Sequence, residues 1–249
     1  MKLTVVGCSG SIAGPESPAS CYLVEADGFR MVLDLGSGAL GHLQRYCGYG
    51  ELDAVLISHL HPDHCIDLLG LHVARAYGGT GFPRLPVYAP AGASEQLAGA
   101  AGRRHGSAFE TQFGFTDWSA GAQRVWPFRV TVARVAHPVP TWAMRIEHRG
   151  RSLLYSADTG VCERLVELGR GADLALVEAA FQDGKDEDAP AGLHLNGREA
   201  GEHARAAGAR RLIVTHVPPW NDPDVIVKAA REAYGGPAEL ATAGATFEV

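Results

Sequence analysis

Apolar runs of strand length in this chain repeatedly end on residues that can bind a metal. LDAVLISHLHPDH ends on His59, His61, Asp63 and His64, and RVTVARVAH ends on His137. SLLYSAD ends on Asp158, LALVE on Glu178 and RRLIVTH on His216. A rigid sheet can hold side chains from distant parts of a chain at one edge, which is what a buried metal site requires. Five imidazoles with the carboxylates of Asp63 and Asp158 suffice for two divalent ions.

With 249 residues, 46% of them hydrophobic and 20% charged, the chain can bury a large core. Strand-like and helix-like patterns alternate with no linker-like break, so one domain over residues 1–249 is expected. The net charge of -6 and the lack of a long basic run argue against an extended nucleic-acid surface. Cys8, Cys21, Cys47, Cys65 and Cys162 form no C-x-x-C pair. Neither a disulfide framework nor a thiolate zinc cluster is indicated, and buried free thiols are expected. Cys65, beside His64, is the candidate oxidation site. No apolar stretch approaches the ~20 residues of a membrane span, and MKLTVVG reads as a strand rather than a signal peptide. A cytoplasmic protein with no membrane association is expected.

Strands are expected at 2–6, 21–26, 29–34, 52–58 and 86–89. A second series is expected at 128–135, 142–147, 152–156, 174–178 and 211–215. Asp27-Gly28 is a two-residue hairpin signal. His61-Pro62-Asp63 opens a helix expected to run to Tyr77, since proline and an acid both suit a first helical turn. Further helices are expected at 93–101, 161–168, 197–206 and 222–234. Residues 103–118 read as a strand with part of a loop over the site. Early hairpins followed by strand–helix alternation, in both halves, suggest two sheets packed face to face with helices outside. The polar stretch 182–192 reads as a mobile loop, either a solvated turn or a lid.

In His59-Leu60-His61-Pro62-Asp63-His64 one metal can take His59 and His61, and the other Asp63 and His64. This nitrogen and oxygen donor set suits zinc and also tolerates manganese or iron. With this H-x-H-x-D-H run, the chain resembles the metallo-beta-lactamase superfamily. Its nearest likeness there is to the phosphodiesterase branch that holds RNase Z and cyclic-nucleotide phosphodiesterases. Val135 to Thr141 (VAHPVPT), Ser156 to Gly160 (SADTG), Leu193 to Asn196 (LHLN) and Ile213 to His216 (IVTH) match that branch segment by segment.

The resemblance implies an α/β four-layer αβ/βα sandwich and a metal-dependent hydrolase. It implies that His59, His61 and His137 hold one metal, that Asp63, His64 and His216 hold the other, and that Asp158 bridges them. It further implies that Asp63 orients the attacking water or takes its proton. His194, paired with Glu178, would donate a proton to the leaving oxygen. Taken singly, each residue has a plainer reading: His137 as a backbone-bonded histidine, Asp158 as a helix N-cap, His194 as a loop histidine, Glu178 as a buried ion partner. The Gly/Ser-rich loop 7–14 resembles the family's loop after the first strand. Trp142, Arg145, Tyr77 and Trp220 are candidates for contacting a nucleotide base.

RNase Z grips tRNA with a long arm, commonly inserted in the hairpin after the third histidine. Here that hairpin, Met144 to Leu153, turns at once through Arg149-Gly150. The expected substrate is therefore a small nucleotide, best a 3',5'-cyclic nucleotide such as cAMP, with tRNA 3'-end processing as the alternative. A homodimer is expected from the family likeness.

Overall fold

A computed structural model describes residues 1–79 and 81–249. The first half supplies β1 (Lys2–Gly7), β2 (Cys21–Ala26), β3 (Phe29–Leu33), β4 (Ala54–Leu56), β5 (Leu85–Ala89) and β6 (Phe113–Asp117). The second supplies β7 (Gly121–Val125), β8 (Phe128–Arg134), β9 (Trp142–His148), β10 (Arg151–Tyr155), β11 (Leu174–Glu178), β12 (Leu212–Thr215) and β13 (Ala238–Leu240). A last strand, β14 (Thr246–Glu248), returns to the first half. Among the described residues these form two seven-stranded sheets, ordered β14-β1-β2-β3-β4-β5-β6 and β13-β12-β11-β10-β9-β8-β7. Each sheet begins with antiparallel hairpins and ends in parallel strands, β3 to β6 in one and β10 to β13 in the other.

Both faces of the central strands are buried, which explains why they read as continuous apolar runs. Leu3, Val5, Met31, Leu33 and Leu56 meet Ile146, Leu153, Leu176 and Ile213 in the core between the sheets. The alternate residues Val6, Val32, Val55 and Ile57 face helices α1 (Ala39–Leu43), α2 (Pro62–Cys65), α3 (Leu68–Tyr77) and α4 (Ala93–Ala100). On the other side Leu154, Ala175, Val177, Leu212 and Val214 pack under α5 (Glu163–Leu168), α6 (Gly197–Ala206) and α7 (Pro223–Tyr234). The result is the expected αβ/βα sandwich.

The structure departs from the sequence reading in three places. The helix expected from 61 to 77 is broken into α2 and α3, because the backbone between them is diverted. Leu35 N–H donates to His64 O at 2.8 Å, and Asp67 N–H donates to Leu35 O rather than to a helical acceptor. Asp67 also gives its carboxylate to Leu40 N–H at 2.8 Å. Residues 103–118 hold the expected strand as β6, but the stretch before it tucks Phe109 into the core under the outer helices. Strands β7, β13 and β14 carried no signal: β7 is a largely exposed edge strand, and the other two are three residues each.

Candidate metal centre

The candidate ligands leave the sheets at one edge. His59 and His61 follow β4, and His61 ends the extended backbone so that Pro62 and Asp63 start α2 with His64 behind them. His137 follows β8, Asp158 follows β10 and His216 follows β12. Asp34, Ala157 and His216 adopt the left-handed backbone region at φ 59°, 53° and 58°. Such residues cost energy unless their surroundings fix them, and these three cluster where the strands hand over to the site.

Among the described residues three groups of donor atoms result, the smallest being Glu178, His194 and His216, and the other two share Asp158. His59, His61, His137 and Asp158 form one; Asp63, His64, His216 and Asp158 form the other. In the first, His59 Nε2 lies 3.1 Å from His61 Nδ1, and His137 Nε2 lies 3.3 Å from that same Nδ1. Asp158 Oδ2 is 3.6 Å from His59 Nε2. In the second, His64 Nε2 is 3.1 Å from His216 Nε2, and Asp63 Oδ2 lies 3.4 and 3.2 Å from those two nitrogens. Asp158 Oδ1 completes it at 3.2 and 3.4 Å. A tetrahedron of ligands at ~2.0–2.1 Å from a metal has edges of about 3.3–3.4 Å. Both sets have that size, and Asp158 gives one oxygen to each.

Hydrogen bonding selects the metal-facing nitrogens. Asp34, fully buried, accepts from Ser58 N–H at 2.6 Å, Ser58 hydroxyl at 2.7 Å, Tyr155 hydroxyl at 2.6 Å and His64 Nδ1–H at 2.7 Å. Ser58 Oγ, its proton committed to Asp34, accepts from His59 Nδ1 at 3.0 Å. His137 Nδ1–H donates to Leu193 O at 2.8 Å. The Nε2 lone pairs of His59, His64 and His137 are thereby aimed at the site, the usual arrangement behind ligating imidazoles.

The charges agree. Burial, then the nearby His64, holds His59 well below the usual imidazole range. Burial likewise lowers His61 and His137, so all three of the first set favour the neutral form a metal needs. In the second set burial opposes the charged forms, but the ion pairs outweigh it. His216 and His64 hold the Asp63 carboxyl well below its ordinary value, and His216, His64 and His59 do the same to Asp158. Asp158 and Asp34 raise His64 well above the usual range, again against burial. Without metal this pocket draws a proton onto an imidazole; Asp158 Oδ1 is buried there and accepts no hydrogen bond. Two divalent cations fit this donor set.

Beside both sets, His194 Nδ1 lies 2.9 Å from Glu178 Oε1 and 3.9 Å from Asp158 Oδ2. Glu178 is fixed by Thr159 N–H and Ala180 N–H, each at 2.9 Å. Against burial, Glu178 raises His194 to about 9. His194 borders a cavity of about 610 Å³ that is also lined by Phe181, Gln182, Asn196 and loop residues 183–192. Lys185 ties that loop to Trp220 O at 2.8 Å and Asn221 Oδ1 at 2.6 Å.

Of the aromatic and arginine candidates, Trp142 is buried in the core under Arg134, and Arg145 is spent on Leu168 O and Arg170 O. Neither can take a base. Tyr77 and Trp220 are exposed, and only Trp220 adjoins the cavity loop. Cys65 is buried, and burial, then the nearby carboxylates, push its thiol up against the pull of His64, so neither its exposure nor its thiolate character favours oxidation. Asp34 and its partners Ser58 and Tyr155 escaped the sequence reading. The signal existed: FRMVLD is another apolar strand that ends on an acid.

The model of the beta-lactamase superfamily domain matches residues 30–217, which include every candidate ligand. A protein of Mycobacterium leprae, ML1173, is 41% identical over 260 residues, covering all of this chain and 89% of that one. The probable metallo-hydrolase YhfI of Bacillus subtilis is 32% identical, with both chains covered in full. Its crystal structure superimposes with a TM-score of 0.86 at 29% identity, over 99% of this chain and 98% of that one. Ribonuclease Z of Myxococcus xanthus is 28% identical over 302 residues, covering all of this chain and 98% of that enzyme. With fold, donor sets and sequence in agreement, the chain belongs to the beta-lactamase superfamily.

Proposed function

We propose that the protein is a dinuclear-metal phosphodiesterase that hydrolyses a small nucleotide, best a 3',5'-cyclic nucleotide such as cAMP, to the 5'-monophosphate. The observation that carries the hydrolytic part is Asp158, whose two oxygens each belong to a different donor set. When bound, two zinc ions, or manganese or iron, would activate water and polarise the phosphoryl group. Asp63, at the rim of the second set, orients the attacking water. His194, protonated beside Glu178, gives its proton to the leaving ribose oxygen as the P–O bond breaks.

A small substrate is favoured by the hairpin between β9 and β10. His148 pairs directly with Arg151, and Arg149 and Gly150 turn the chain with φ of 49° and 78°. Arg149 is pinned to Asp27 at 3.0 Å. This tight turn stands where the common bacterial RNase Z carries its arm.

The second reading, tRNA 3'-end processing, is favoured by the similarity to ribonuclease Z and needs another RNA-binding surface. Purified protein with zinc or manganese, given cAMP or a 3'-extended precursor tRNA, separates the two. AMP formation by wild type and its loss in Asp63→Ala is the expected result. Cleavage of the RNA with cAMP untouched would replace the first reading by the second.

A further inference from the structure

Two glycines press on the backbone of the second donor set. Gly10, in the Gly/Ser-rich loop after β1, donates its N–H to Val217 O at 3.2 Å, while His216 N–H donates to Cys8 O at 3.0 Å. The two segments thus run side by side. A methyl group on Gly10 would overlap the carbonyl oxygen of His216 and lie 2.8 Å from its carbonyl carbon. Gly36, after β3, stands in the same relation to Asp63: an added carbon would overlap Asp63 O and lie 2.6 Å from its carbonyl carbon and 2.9 Å from Ala19 Cβ. The atoms struck below 3 Å are backbone or the short stub of an alanine, so none can swing aside, and the Gly10 carbon would also lie 3.1 Å from His216 Nδ1.

The two loops are stacked on each other. Gly36 N–H donates to Ser20 O at 3.0 Å, Ala19 N–H donates to Ser37 O at 3.1 Å, and Ser9 N–H donates to Pro18 O at 3.1 Å. Leu35 N–H holds His64 O. One continuous backbone pile therefore runs from His216 through Gly10, Ala19 and Gly36 to Asp63 and His64, the three ligands peculiar to the second set. His216 depends on it most. Its backbone is left-handed, and its Nδ1 is buried with no hydrogen-bond partner, unlike the Nδ1 atoms of His59, His64 and His137. What orients the His216 ring is the chain, not an outer acceptor. Beside the first set, Gly160 bonds Ala136 O next to His137, but a carbon added there would meet Gly192 and not a ligand.

We infer that Gly10 and Gly36 are positioning residues for one metal of the two, so that a single methyl at either place empties the second set and leaves the first loaded. This rests on the dinuclear reading above. The test is metal content by native mass spectrometry, with zinc competition against a chelator, for wild type, Gly10→Ala, Gly36→Ala and Gly201→Ala. The last is a control far from the site, where an added carbon would likewise overlap a carbonyl oxygen, that of Ala230.

The expected result is two zinc ions in wild type and in Gly201→Ala, and one in each of the other variants, with the Kd of the second ion raised about 10–100-fold or more. The remaining ion should be lost on adding His137→Ala and kept on adding His216→Ala. Wild type with fewer than two ions would sink the dinuclear reading itself. Two ions in wild type and unchanged affinity in both site glycine variants would overturn this inference alone. So would loss of both ions together, equal loss in Gly201→Ala, or failure of both site variants to fold by circular dichroism.

Discussion

The two donor sets share Asp158 as a donor and Asp34 behind them, directly at His64 and through Ser58 at His59, but differ in nearly everything else. The first is partly open: His61 and His137 are only half-buried, and each imidazole there is held neutral mainly by burial. The second is buried at all four residues, backed by Asp34 and pressed by two loops. Its charges are set by ion pairing strong enough to overcome burial. The contrast amounts to a division of labour. The open set leaves a substrate its approach, while the closed set ties the metal centre into the core. Tyr155, from the second sheet, reaches Asp34 in the first, and Tyr22 returns the contact to Thr215 at 2.6 Å, so the closed set also fastens the sheets together.

Removing what the sets share should do most. Asp158→Ala is expected to strip both ions and abolish turnover. Metal analysis that finds one ion retained at full affinity would show that the sets are independent. Next in size is the group that stands beside both. His194→Ala should lower kcat about 10²–10⁴-fold with both ions kept, the range for loss of a general acid. A matching loss of metal would make it a ligand instead.

A smaller and unequal effect is expected at Asp34. Asp34→Asn removes the charge that touches His64 directly and His59 only through Ser58, so it should weaken the closed set about 10–100-fold and the open set less. Equal weakening of both, by chelator competition, would erase the contrast between them.

The smallest effect is a shift in pH. In metal-free protein, imidazole NMR should show His194 titrating near 9, and Glu178→Gln should bring it down towards the ordinary range. A histidine raised in the folded state stabilises it fully below its unfolded value of about 6.5, and that contribution fades as pH rises through about 9. The stability difference between wild type and Glu178→Gln in the chelated protein should therefore shrink over that window. A His194 titration unmoved by Glu178→Gln would assign its charge to Asp158.

Much of this site is legible in one dimension because strands bury both faces and then stop. A polar ligand at the end of an apolar run has few other reasons to be there, and His59, His137, Asp158, Glu178 and His216 all stood out on that ground. Asp34 followed the same rule and was passed over because its role lies behind the ligands, on Ser58, Tyr155 and His64, and not among them. The break between α2 and α3 was hidden because its cause, the Leu35 backbone, lies far back in sequence. The edge strands β7 and β13 and the short β14 were invisible because edge pairing demands no apolar run, only a free neighbour.

Residue type and local spacing suffice for the layered α/β class, the chemistry of the donor set and the short turn at Arg149-Gly150. The folded chain was needed to show which imidazole nitrogen faces inward, that Asp158 turns one oxygen towards each set, and that Trp142 and Arg145 belong to the scaffold. It also gave Gly10 and Gly36 their place against His216 and Asp63. Those outcomes depend on segments far apart in sequence that meet only in the fold, at distances no spacing along the chain can encode.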